Sequence, residues 1–243
     1  MIEDLLTVFW KEAREILEMS GPRGGRIRLL LWLGVFGVFL PFQLGEAWLS
    51  SPAALLLWSW FAFFVVANTA AGLVAGEREN HTLETLLATR LPDRAILFGK
   101  VAAAAAYGWV LTLGSMVGGM ITVNLTTPGG LRLLTPVLAL GGPLLALVTA
   151  IAAGGLGVHV SLYAPTVRQA QQTLSLATLL LFFVPAFGAQ ALPAAVKARL
   201  MNILMGLSSG RTVAAAAVAL ALLDAALLIT AAARFRRERL ILD

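Results

Sequence analysis

The sequence predicts an all-α integral membrane protein with six transmembrane helices, and three observations carry that prediction. Hydrophobic residues make up 59% of the 243 positions, charged residues only 13%, and the mean hydropathy is +0.85; an ordinary soluble domain is roughly 25% charged. Six apolar stretches lie at about 29–45, 52–75, 101–123, 134–157, 173–191 and 212–233, each close to the ~20 residues that cross ~30 Å of hydrocarbon at ~1.5 Å per residue. The basic residues are unevenly shared between the intervening segments. With the N-terminus inside, 14 of the 18 Lys and Arg fall on the cytoplasmic side and 4 outside, which orients both termini inward.

The elements follow in order. In residues 1–20, Ile2, Leu5, Leu6, Phe9, Ala13, Ile16 and Leu17 recur at three- and four-residue steps, opposite Glu3, Asp4, Lys11, Glu12, Glu15 and Glu18. This is an amphipathic surface helix, with Trp10 at headgroup level. The segment lacks a basic start followed by an apolar block, so no cleavable leader is expected. The Gly21–Gly25 stretch "GPRGG" turns the chain into a bundle over 26–233, and residues 234–243 form a basic cytoplasmic tail. Together, 1–243 read as a single transmembrane domain. Glu46 and Trp48 mark the outer end of span one. Span five contains Pro185, which predicts a bend or break at its upper end and makes five spans the second-ranked count. The outer loop between spans five and six is longer than a linker needs, and Ala195, Val196, Leu200, Ile203 and Leu204 have helical spacing; short re-entrant helices are expected there. Small-residue runs such as "GSMVGG" and "AAGGLG" allow close helix approach.

The charged island "GERENHTLETLLATRLPDRAILFGK" separates spans two and three. Leu83, Leu86, Leu87 and Leu91 make one stripe of a short helix, with Glu84, Thr85, Ala88 and Thr89 opposite; Asn80 or Thr82 can cap its start, and Pro92 with Asp93 ends it and begins the next helix near Arg94. Such a cytoplasmic coupling helix can receive a push from a soluble partner and pass it to two spans.

The island resembles the corresponding segment of type-2 permeases of the ATP-binding-cassette (ABC) transporters, with the pattern E-K/R-E-x-G-T-L-E-x-L-L-x-T-P, then a basic residue and a closing G-K. Glu77, Arg78, Glu79, Thr82, Leu83, Glu84, Leu86, Leu87, Thr89, Arg94, Ile96, Gly99 and Lys100 match without a gap. His81 stands where that family has Gly, and Arg90 where Pro is common. The likeness extends to the surface helix, the six spans, the long last outer loop and the basic end. It implies a permease subunit, an exporter, paired with a second permease chain as a homodimer or heterodimer. Two cytoplasmic ABC ATPase subunits, carrying ATP and Mg, would drive it through Glu77, Arg78, Glu79, Thr82, Leu83, Glu84, Leu86, Leu87, Arg94 and Lys100. The chain would sit in the cell inner (plasma) membrane, with spans one, two and five, and Asp224, bordering the route.

No phosphate-binding loop accompanies these features. The sole Gly-Lys pair, Gly99-Lys100, has Arg94 where the first glycine should stand and Val101 in place of Ser or Thr, so the chain is not read as an enzyme and is expected to bind no cofactor itself. H-E-x-x-H is absent, and both histidines precede Ser208 of "GLSSG", the wrong order for a rhomboid-like protease. His81 has no second His or Cys nearby, so no metal site is expected, and no basic patch is interleaved with aromatics as nucleic-acid binding requires. The candidate intramembrane polar residues, for the translocation route or for pairing, are Asp224, in span six, and Asn68, in span two. An intramembrane carboxylate needs a partner or a wet cavity, and Asn68 is the candidate partner; the competing reading is a stand-alone ion-coupled carrier or channel using Asp224. His159 and Arg168 flank a second inner turn that could add to the ATPase contact.

Overall fold

The computed structural model describes residues 2–18, 21–82, 85, 88–206 and 210–235, without the side chains of 21–26, 181–183, 185, 186, 189–191, 200, 201 and 203–206. Among the described residues the protein is all-helical, and five helical stretches are long and apolar enough to cross a membrane: Ile27–Leu44, Ala53–Glu79, Asp93–Thr126, Pro136–Tyr163 and Gly210–Arg234. The expected fifth span, 173–191, lies within a further helix, Val167–Ala191, whose side chains are described only in part. That helix runs without interruption through position 185, so the expected break at Pro185 is not present. Among the described residues between Val167–Ala191 and Gly210–Arg234, where short re-entrant helices are expected, one helix, Ala194–Gly206, follows Pro193.

Helix α1 (Ile2–Glu18) shows how one apolar stripe serves two surroundings. Val8, Glu12 and Ile16, at four-residue steps, face the protein, while Ile2, Leu6, Trp10 and Leu17 stay exposed. The stripe read from the sequence thus splits lengthwise, and Glu12, assigned there to the polar side, is buried. The contact is made on α7 (Asp93–Thr126), where Gly99 lets the helices close: a Cβ on Gly99 would sit 2.7 Å from Val8 Cβ.

Span one begins in α2 (Gly21–Gly34), passes a π-helical turn at Val35–Phe39 and ends in α3 (Leu40–Leu44). Pro41 accounts for the irregularity: it has no N–H to give to the carbonyl four residues back and its ring crowds that carbonyl. The carbonyl is that of Gly37, and Thr122 Oγ1 on α7 donates to it at 2.8 Å. After α4 (Ala47–Ser50) comes span two, split into α5 (Ala53–Ala70) and α6 (Gly72–Glu79). The hydroxyl of Ser161, on α8 (Pro136–Tyr163), enters the helical ladder at this joint. It accepts from Val74 N at 3.0 Å and Ala75 N at 2.8 Å and donates to Ala71 O at 2.9 Å. One turn earlier, Gly157 brings α8 onto Ala70 so closely that a Cβ there would overlap the Ala70 side chain.

The chain continues as α9 (Val167–Ala191), α10 (Ala194–Gly206) and α11 (Gly210–Arg234). The core is centred on α5, α7 and α8, which supply most of the fully buried residues, including Val66, Ala70, Ile96, Leu97, Ala104, Ala150 and Val158. Span one and α11 are peripheral, and they expose Leu30, Leu31, Val38, Phe39, Phe42, Leu222, Leu223 and Ile229. Apolar exposure on that scale marks contact with lipid or with another apolar surface, since a water-facing surface rarely carries it. At 34 residues α7 is ~51 Å long, longer than hydrocarbon requires, and it starts eight residues before the span expected at 101. Lys100 does not end the apolar segment, because its charge is neutralised inside the protein.

At the far end Trp48 and Trp58 meet edge to face with ring centroids 5.5 Å apart, both buried. Glu46 pairs with Arg132. Asn124 uses both ends of its amide to hold the loop, giving to Arg132 O at 2.9 Å and accepting from Arg132 N at 2.7 Å.

Candidate functional site

The last turn of α6 ends in two nested bonds, His81 N to Arg78 O at 3.1 Å and Thr82 N to Glu77 O at 2.9 Å. This pairing places the residue after the C-cap in the left-handed region, and His81 has φ 56, alone among the described non-glycine residues. Position 81 is where the ABC permease pattern carries glycine, so the turn is kept while its residue is strained. Asn80 and Thr82 therefore close α6; of the stretch they were expected to open as a helix, residues 83, 84, 86 and 87 lie outside the described set. His81→Gly relieves a left-handed side-chain cost of about 1 kcal/mol, so the purified variant is expected to melt a few degrees higher by differential scanning fluorimetry; an unchanged or lower midpoint contradicts the strain.

The three residues before Asn80 each hold a different neighbour. Glu77 Oε1 accepts from Lys100 Nζ on α7 at 2.9 Å, and the same ammonium reaches Glu12 Oε1 on α1 at 2.7 Å. Arg78 caps the end of α8, giving Nη1 to Ala164 O and Nη2 to Leu162 O, each at 3.0 Å. Glu79 Oε2 accepts from Val167 N, the first residue of α9, at 3.0 Å. The signs fit the helix dipoles: a guanidinium at a C-terminus and a carboxylate at an N-terminus. One turn of α6 thus fastens α1, α7, α8 and α9 at the same end of the bundle.

Lys100 is 3% exposed and Glu12 4%, so this ion pair is cut off from water. Lys11 borders it, 3.3 Å from Glu12, 3.0 Å from Glu15 and 3.6 Å from Glu77. Burial disfavours the charge on Lys11, yet its hydrogen bond to Glu15 and the carboxylates of Glu12 and Glu77 hold it above the ordinary lysine range. Glu12, Glu15 and Glu77 are close enough together to suggest a cation site, but the two ammonium groups already occupy that position. Beside the cluster, Lys11, Glu15, Glu77, Asn80, Thr82, Thr85 and Thr89 line an open hollow of about 570 Å³.

The structure brings Glu77, Arg78, Glu79, Thr82 and Lys100 together, with Thr82 Oγ1 giving to Glu77 Oε2. Arg94 is exposed on the first turn of α7. Leu83, Glu84, Leu86 and Leu87 lie outside the described residues. Asn68 and Asp224 do not pair: Asn68 Nδ2 gives to Phe64 O at 2.8 Å within α5, whereas Asp224 is buried on α11 and its Oδ1 has no hydrogen-bond partner. A shared depth across the bilayer fixes no angular position, and these two side chains point into different interfaces. His159 Nε2 lies 3.1 Å from both Leu227 O and Thr230 Oγ1 of α11, an inter-helix contact; Arg168 is exposed.

Sequence reasoning missed Glu12 and Ser161. The Val8, Glu12, Ile16 spacing on the border of the apolar stripe was a signal for the first. A lone serine in an apolar helix gives no sign of which backbone it will meet.

Comparison with protein families gives one match. Residues 57–240 fit the model of a family described as ABC-2 family transporter protein. No curated protein matches the chain. The match takes in α6, the charged island, Lys100 and both helices that Arg78 and Glu79 hold, and it leaves out α1 and span one.

Proposed function

The chain belongs to the ABC-2 family of transporter proteins and is a multi-pass membrane permease, and from that premise we propose that it is the subunit through which separate ATPases drive export. Two cytoplasmic ABC ATPases would bind at the end of the bundle that carries the Glu77–Glu79 turn, and a second permease chain would complete the route. Both termini would face the cytoplasm, in the cell inner membrane, with six spans forming one transmembrane domain over 1–243.

One observation carries the coupling assignment: the Glu77-Arg78-Glu79 turn is bonded to four helices at once. A push delivered to residues 80–92, immediately downstream, reaches α1 and α7 through Glu77 and Lys100, α8 through Arg78, and α9 through Glu79. The hollow beside Thr82, Thr85 and Thr89 is open and edged by charged and hydroxyl-bearing residues, suited to a soluble partner. ATP and Mg would be held by that partner; the packing of the Gly99-Lys100 pair on α1 and its bond to Glu12 support that reading.

The chain solubilised in detergent from its native membrane and identified with its companions by mass spectrometry is expected to bring down a phosphate-loop ATPase. Glu84→Arg or Leu87→Asp should release that ATPase, or abolish its stimulation, while membrane insertion is kept. Recovery of the chain without any ATPase would transfer the assignment to an ion-coupled carrier, for which the buried, unpartnered Oδ1 of Asp224 is the residue to test.

A further inference from the structure

A cavity of about 220 Å³ lies between α2, α5, α7, α9 and the end of α1, lined in part by Arg28, Trp32, Phe64, Asn68, Tyr107 and Gln171. Its depth follows from the helix rise. Arg28 immediately precedes the apolar run of span one, Tyr107 is seven residues beyond Lys100, and Asn68 is ten residues before Arg78. At ~1.5 Å per residue the cavity therefore begins at the charged end of the bundle and reaches ~10–15 Å into it. In the orientation proposed above, this is the inner leaflet, from headgroup level to the first carbons of the acyl chains.

The polar groups here are of two kinds. Asn68 Nδ2 and Thr69 Oγ1 are engaged by their own helix, on Phe64 O at 2.8 Å and Val65 O at 2.9 Å. Arg28, the Tyr107 hydroxyl and Gln171 have no hydrogen-bond or ion-pair partner among the described residues, and Glu12, Glu15 and Glu77 nearby are matched by Lys11 and Lys100. Arg28 is exposed at the mouth of a cavity that enters the apolar layer, and no described carboxylate balances its charge. The walls supply the other half of the chemistry: Trp32 is packed edge-on to Phe64 with centroids 5.3 Å apart, so the aromatic face is fixed in place.

We propose that this cavity binds one phosphate-headed amphiphile, its head on Arg28, Tyr107 and Gln171 and its first apolar carbons along Trp32 and Phe64. The guanidinium, phenol and amide offer more donors than the two oxygens of a carboxylate accept and suit the several oxygens of a phosphoryl group. The volume is below the ~300–1,000 Å³ of pockets that enclose a drug-sized ligand. It holds a head and the start of a tail, and the remainder of the molecule extends toward lipid. The cavity includes span one, span two and α9, the same elements assigned to the route, so the inference rests on the permease reading and gives its cargo, or a lipid resident at its inner mouth, a chemical class.

Binding is measured on the full-length chain alone, in detergent, by native mass spectrometry during titration with phosphatidylglycerol, with phosphatidylcholine of the same acyl chains, and with inorganic phosphate. One phosphatidylglycerol per chain is expected to be retained at least tenfold more tightly than phosphatidylcholine, whose choline cation meets Arg28. Arg28→Gln should lose about tenfold of that preference, Trp32→Ala should weaken the lipid severalfold, and Arg14→Gln, on the exposed face of α1, should leave it unchanged. Equal retention of the two lipids, or equal losses in Arg28→Gln and Arg14→Gln, would mean diffuse attraction to basic residues and overturn the proposal. Inorganic phosphate binding as tightly as the lipid would overturn the amphiphile in favour of a simple anion site. No ATPase enters this experiment, so its failure is separable from failure of the coupling assignment, which the co-purification above tests.

Discussion

Lys100→Met is expected to cost about 3–5 kcal/mol, because removing one member of a buried ion cluster leaves the others charged, desolvated and unmatched. For a chain of this size that corresponds to a drop in melting midpoint of roughly 10 °C. The loss has a specific form. Glu12 and Glu77 would repel one another where Lys100 Nζ now bridges them, and α1, whose fully buried residues are Val8, Glu12 and Ile16 with Phe9 and Ala13 half-buried beside them, would loosen from α7. A cysteine placed at position 8 should accordingly become reactive to a membrane-impermeant maleimide in Lys100→Met and stay protected in the parent. Adding Glu12→Gln should recover part of the midpoint, since the two positions share a contact and their effects cannot add. An unchanged midpoint and a protected position 8 would show that the cluster contributes no net stability.

The second large effect is at Ser161→Ala. This change deletes one oxygen and orphans three buried backbone groups, Val74 N, Ala75 N and Ala71 O. Unmade hydrogen bonds at buried groups cost about 1–3 kcal/mol each, and the helix can close part of its own ladder in response, so about 2–4 kcal/mol is expected overall. Part of that response is a straightening of the α5–α6 joint, which would shift Arg78 away from Ala164 O and Leu162 O. The Ser161→Ala protein should therefore both melt earlier and, in complex with its ATPase, couple less ATP hydrolysis to transport. A variant with the parental midpoint would remove Ser161 from the joint.

The sequence made the helical membrane class legible through composition, and it located five of the six expected spans through their apolar lengths, because lipid demands both. It placed the charged island, and the His-for-Gly departure at position 81 turned out to fall on the left-handed residue of the α6 cap. It did not show where that island's charges point. Glu77, Arg78 and Glu79 read as a surface for a partner, yet each is turned to a helix of the same chain, because helix ends and a buried lysine compete for them as strongly as any soluble protein could. Glu12 was hidden by the habit of assigning every carboxylate on an amphipathic helix to water. Span three was expected to begin at about 101, just after Lys100, and α7 runs through that residue from Asp93. Asn68 and Asp224 illustrate the limit of depth as a guide, because pairing across a bundle is decided by rotation about each helix axis, and uniformly apolar spans leave that rotation unmarked.

The joining of α8 and α9 by consecutive residues of α6 has a kinematic meaning. Arg78 grips the last carbonyls of one helix and Glu79 the first amide of the next, so the short bend between them, Ala164 to Thr166, is clamped on both sides by a single rigid turn. Two helices that could have swung independently about that bend share one pivot, and any tilt imposed on one is imposed with it on the other. Opening at this end of the bundle then has one degree of freedom where a loose loop would have allowed several, and the direction of a stroke is set by the geometry of the pivot more than by the direction of the push.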